Sequence, residues 1–96
     1  MKVLRRRGAP PAPPAEADSD PERDLAYAIA QAVYDLRTDK GLSQQELADL
    51  IGTKQPRVSV VESAVKLPSL PLLLRIASAF GLRLTVRFEK REETDG

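Results

Sequence analysis

Asp35 and Asp39 stand four residues apart, one turn of a helix, a spacing at which two carboxylates can share acid–base work. No histidine or metal-ligand cluster accompanies them, so they read as a solvated helix face. The chain of 96 residues contains neither Cys nor His. That removes disulfides, thiolate chemistry, zinc fingers and any Ser-His or Cys-His catalytic pair. No catalytic residue, metal site or cofactor is expected, and the chain does not read as an enzyme. The formal net charge is only +1, so any electrostatic role must come from where the charges lie. They lie in blocks: Lys2, Arg5, Arg6 and Arg7 at the head, then Glu16, Asp18 and Asp20.

The elements that would position polar side chains follow from periodicity and caps. Residues 1–21 carry the basic head and then a Pro/Ala run from Ala9 to Ala15. Prolines remove backbone donors, and beyond Leu4 there are no large apolar residues to bury, so a disordered arm is expected. Its arginines read as a solvated tail, with contact to DNA phosphates or the minor groove as the alternative. Residues 22–81 hold the helical domain. A first helix starts near Pro21 or Glu22, with Asp20 as cap, and ends at Gly41. Leu25, Ile29, Ala32, Val33 and Leu36 form its apolar stripe. A second starts at Ser43, which with Glu46 has the spacing of a capping box. It turns Leu47, Leu50 and Ile51 inward, keeps the small Ala48 where the next helix must approach, and stops at Gly52. A third is capped by Thr53, buries Val58 and Val61, and leaves Gln55, Pro56, Ser59 and Val60 outside. A fourth follows Ser69, with Leu70, Leu73, Leu74, Ile76, Ala77 and Phe80 as core, and Gly81 stops it.

After Gly81 the apolar period changes from 3.6 to 2. Leu82, Leu84, Val86 and Phe88 alternate with Arg83, Thr85, Arg87 and Glu89, which predicts a strand over residues 82–89. A lone strand leaves its backbone unpaired, so its partner is expected to be the same strand of a second copy; the alternative is packing of these side chains on the helices. A charged tail, residues 90–96, follows. No apolar run approaches the ~20 residues of a membrane span, and no apolar segment backs the basic head, so a soluble, cytoplasmic protein is expected.

The stretch Leu42 to Ser63, LSQQELADLIGTKQPRVSVVES, followed by LPSLPLLLRIASAFGL, resembles the XRE family of Cro and phage-repressor-like helix-turn-helix proteins. The resemblance covers roughly Leu36 to Leu82. It implies an all-α, lambda repressor-like bundle, here of about four helices plus the C-terminal strand, and a function of binding operator DNA as a dimer. It also implies roles. Gln44 would bond a phosphate and Gln55 would read adenine. Lys54 and Arg57 would reach phosphate or guanine, and Val60 would meet a thymine methyl, on a face completed by Pro56 and Ser59. Arg37 and Glu62 occupy the places of an internal ion pair. Three residues depart from the family pattern: Val60 and Pro56 stand where longer polar readers are common, and Ala64 replaces a glycine.

Three functions remain open on these grounds. The first is a transcriptional regulator, acting as a repressor on an inverted repeat with double-stranded DNA and a second copy as partners. The second is an antitoxin similar to those of HigA and HipB type, with a toxin protein as further partner. The third is an interaction module that has kept the fold without DNA. No ligand-binding domain is expected, which points to control by concentration, a protein partner or proteolysis.

Overall fold

The computed structural model describes residues 20–90, so apart from Asp20, Pro21 and Lys90 the expected arm and tail lie outside the described residues. Four helices follow in order: α1 (Pro21–Asp39), α2 (Gln44–Ile51), α3 (Gln55–Ser63) and α4 (Leu70–Ala79). Their ends are chemical. The Asp20 carboxylate accepts from the backbone N–H of Glu22 at 3.1 Å and of Arg23 at 3.3 Å, with Pro21 in the first turn where a missing N–H costs nothing. Ser43 Oγ accepts from the Glu46 N–H at 3.0 Å while Glu46 Oε1 accepts from the Ser43 N–H at 2.8 Å, a closed capping box. Ser69 Oγ accepts from the Leu72 N–H at 3.3 Å.

α2 ends where Gly52 turns left-handed, at φ 74°. The Thr53 N–H then reaches back to the Ala48 carbonyl at 2.9 Å and the Gly52 N–H to that of Asp49 at 3.3 Å, the paired bonds of a Schellman motif. Thr53, the expected cap of α3, is instead engaged in closing α2. The cap position falls to Lys54, which makes no side-chain cap bond, and α3 starts at Gln55. The same motif closes α1 around Gly41 and α4 around Gly81.

The core gathers Val33, Leu47, Ala48, Ile51, Val58, Val61, Leu72, Leu73 and Ile76, with Ile29, Phe80 and Leu84 packed at its edge. α3 packs against both α1 and α2, and α4 against α2. Leu47 and Ala48 are wholly shielded from solvent. Several expected core positions are corrected. On α1 the buried side chains are Ala26, Ala30 and Val33; Leu25 and Ala32 are exposed. Val33 is buried as expected and Ile29 packs at the edge of the core, while the rest of the buried face falls on the small Ala26 and Ala30. Leu50, Leu70 and Leu74 also lie exposed, while Leu72, absent from the expected core, is buried.

The C-terminal strand is a further correction: no strand occurs among the described residues, and residues 82–90 form no regular element. A period-2 pattern can be satisfied only by a neighbouring strand, and nothing among the described residues provides one. Leu84 packs on the core, Leu82 and Val86 are exposed, and Phe88 is entirely open to solvent.

Ala64, at the end of α3, is the single non-glycine residue with positive φ among the described residues, at 61°. A Cβ in that conformation crowds the following carbonyl, costing roughly 1–2 kcal/mol, and a glycine would recover this less about 0.4–1 kcal/mol of unfolded-chain entropy. Ala64→Gly is therefore expected to raise stability by about 0.5–1 kcal/mol. Urea unfolding checks this, and an unchanged or lower midpoint refutes the strain.

Candidate nucleic-acid interface

α2 and α3, joined by the tight turn at Gly52, bring their first residues together. Gln44 opens α2 and Gln55 opens α3, and Gln55 Nε2 donates to Gln44 Oε1 at 2.7 Å. Gln44 Nε2 in turn donates to Glu62 Oε1 at 3.1 Å. Glu62, buried near the end of α3, is held by the guanidinium of Arg37 in a two-pronged pair: Nε to Oε2 and Nη2 to Oε1, each at 2.8 Å. Arg37 Nη1 also donates to the Leu42 carbonyl at 2.7 Å, and the guanidinium carbon sits 5.4 Å from the centre of the Tyr34 ring. A single polar line thus runs from the start of α3, through the start of α2, to the last turn of α1.

The hydrogen bonds that Arg37 donates to Glu62 push its pKa above the ordinary value, and partial burial only partly opposes this. The cation is therefore permanent, as the buried carboxylate requires.

Lys54, at the cap position, and Pro56, Arg57 and Val60 on α3 are exposed to solvent, while Gln55 and Ser59 on α3 and Gln44 on α2 are half-buried. Among the described residues neither Lys54 nor Arg57 has an ion-pair partner. Arg57, Pro56 and Val60 also line a groove completed by Val61 and by Lys66, Leu67, Pro68, Ser69 and Leu72 from the α3–α4 connection and the start of α4. Lys66, not singled out from sequence, adds a second cation to that groove, and only its nearness in sequence to α3 hinted at this. The link from Gln44 to both Gln55 and Glu62 was also not anticipated. Its signal is spacing: Gln55 and Glu62 are seven residues apart, two turns on one helix face. The remaining sequence-singled residues, Leu82, Leu84, Val86 and Phe88, belong to the segment after α4 and take no part in this face. No group of acidic residues able to hold a metal occurs among the described residues.

A four-helix bundle whose second and third helices are joined by a short glycine turn and share one polar face is a helix-turn-helix domain. The helix-turn-helix family model matches residues 33–86, and the chain belongs to this family in its XRE, Cro and phage-repressor-like form. The chain is 36% identical over 67 residues to an uncharacterised HTH-type transcriptional regulator of Rickettsia prowazekii, covering 70% of this chain and 52% of that protein. It is 34% identical over 61 residues to the uncharacterised HTH-type transcriptional regulator YgzD of Bacillus subtilis, covering 64% and 92%. The chain spans only about half the length of the two Rickettsia relatives it matches. Among solved structures it is similar to the restriction-modification controller protein C.AhdI from Aeromonas hydrophila, with TM-score 0.60 and 34% identity over 64% of this chain and 88% of that one. A hypothetical transcription factor from Neisseria, NHTF, matches with TM-score 0.60 and 34% identity, over 73% and 78%.

Proposed function

We propose that this chain is a DNA-binding transcriptional regulator that lays α3 in the major groove and represses by occupying a promoter. The observation that carries this reading is the pairing of Gln55 with Gln44 at two adjacent helix starts, beside the cations Lys54 and Arg57, which have no ion-pair partner among the described residues. On this reading Gln44 and the first N–H groups of α2 meet a phosphate, while Gln55 and Arg57 read base edges. Val60 offers its methyls to a thymine, and Pro56 and Ser59 complete the contact. The names of the relatives, transcriptional regulators and a restriction-modification controller, point the same way.

The working unit is a pair of chains. Leu50 and Leu74 line one shallow depression between α2 and α4, Leu70 lies one turn from Leu74, and Leu82, Val86 and Phe88 are also exposed. Side chains of that size left open on one small domain mark an interface. A second copy covering them would place two recognition helices about 34 Å apart, one turn of DNA. Competition titration on genomic fragments, followed by footprinting, is expected to find a few preferred inverted repeats protected over both half-sites. Uniform, steeply salt-dependent binding to every fragment would sink the regulator reading. Protection of isolated half-sites alone would sink the pairing.

A further inference from the structure

We infer that Glu62, though buried away from any base, sets which base Gln55 prefers, by fixing the polarity of the amides between them. This rests on the DNA-binding reading above. Both Glu62 oxygens accept from the Arg37 guanidinium, so the carboxylate meets its neighbours as an acceptor. Gln44 must therefore turn its amide nitrogen toward Glu62, as it does at 3.1 Å. Its carbonyl oxygen then faces the other way, and Gln55 can answer only with its own nitrogen, as it does at 2.7 Å.

The outward edge of Gln55 is left with its carbonyl oxygen and one remaining N–H. An acceptor beside a donor matches adenine, which offers N6–H and N7; guanine offers two acceptors, O6 and N7, and would confront the Gln55 oxygen. An amide alone can turn over and serve either base. Here the carboxylate two steps away removes that choice, so Glu62 and Gln44 are positioning residues for base selection.

Glu62→Gln tests this directly. The amide introduced there has one oxygen and one nitrogen. Because Oε1 of Glu62 meets both Arg37 Nη2 and Gln44, either orientation sets its N–H against one Arg37 donor, so neither is locked and Gln44 and Gln55 regain the freedom to turn over. Gln44→Met is the second variant: it breaks the line, leaves the Arg37–Glu62 pair intact, and weakens phosphate contact equally for all sequences.

The full chain is used to select sites from a random DNA pool. The base facing Gln55 is then located as the position where Gln55→Ala loses preference, and all four bases are titrated there. The wild type is expected to favour adenine over guanine. In Gln44→Met that ratio should fall about fivefold or more, and in Glu62→Gln it should fall as well, because the amides are no longer held in one polarity. If Gln55→Ala abolishes the preference while Gln44→Met leaves the ratio unchanged, the inference is overturned and the regulator reading stands. A wild-type preference for guanine there also overturns it. Absence of any preferred site removes the regulator reading itself.

Discussion

Replacing Arg37 with leucine is expected to destabilise the domain by about 3–5 kcal/mol, the range for stranding one partner of a buried pair. The side chains of Arg37 and Glu62 are only 11% and 5% exposed, so water cannot take over from the lost guanidinium. Glu62 would keep only the Gln44 amide as a donor, and the Leu42 carbonyl would lose its bond to Nη1. For a domain of this size the corresponding fall in Tm is about 12 °C or more. The pair is nevertheless no large net source of stability, because both charges had to leave water. Arg37→Leu with Glu62→Leu should therefore recover much of the loss. Thermal and urea unfolding of the two single variants and the double measure this. A loss under about 1 kcal/mol in Arg37→Leu would mean that the pair behaves like an exposed one.

Gln55→Ala combined with Arg57→Ala is expected to have the largest effect on binding. Each base contact is worth about 1–3 kcal/mol, and a paired protein on an inverted repeat loses each of them twice, so affinity for the preferred site should fall at least about a hundredfold. Binding to unrelated DNA should fall much less, since Lys54, Lys66 and the helix starts remain. Stability should stay within about 1 kcal/mol of wild type, because both residues sit on the outer face of α3 and only the Gln55–Gln44 bond is lost. Fluorescence anisotropy with specific and scrambled duplexes separates the two affinities. Unchanged specific affinity would move the reading face elsewhere and favour an interaction module that has left DNA behind.

Much of the scaffold was legible in the sequence because its helix ends are set locally. Asp20, Ser43 with Glu46, and Ser69 each announce a helix within four residues, and Gly41, Gly52 and Gly81 announce the stops. Which apolar residues were buried was less legible, for two physical reasons. On α1 the largest side chains mark a stripe through Leu25, yet burial falls on the small Ala26 and Ala30, which size alone does not single out. On α2 and α4, Leu50, Leu70 and Leu74 follow helical periodicity as faithfully as core residues do, and periodicity cannot distinguish a stripe buried in the chain from one left for another surface. The alternation over Leu82 to Phe88 failed as a strand for a related reason, since a strand is defined by a neighbour that the pattern does not contain. At the site, Arg37 and Glu62 are 25 residues apart, so only family resemblance suggested joining them. The amide bonds between Glu62, Gln44 and Gln55 depend on three elements converging, which no local rule reports.

The face that α3 presents has few hydrogen-bonding groups, but it is also short of freedom. Pro56 has no side-chain rotation to lose, Val60 is branched at Cβ and restricted to few rotamers, and Gln55 is already tethered to Gln44. Ordering a rotamer-rich side chain at an interface costs about 0.5–1.5 kcal/mol, and here much of that ordering is complete before DNA arrives. On the proposed reading, most of the conformational entropy lost on α3 falls on Lys54 and Arg57. A face with few contacts can thus turn a larger share of each into affinity than a longer, more mobile set of readers would.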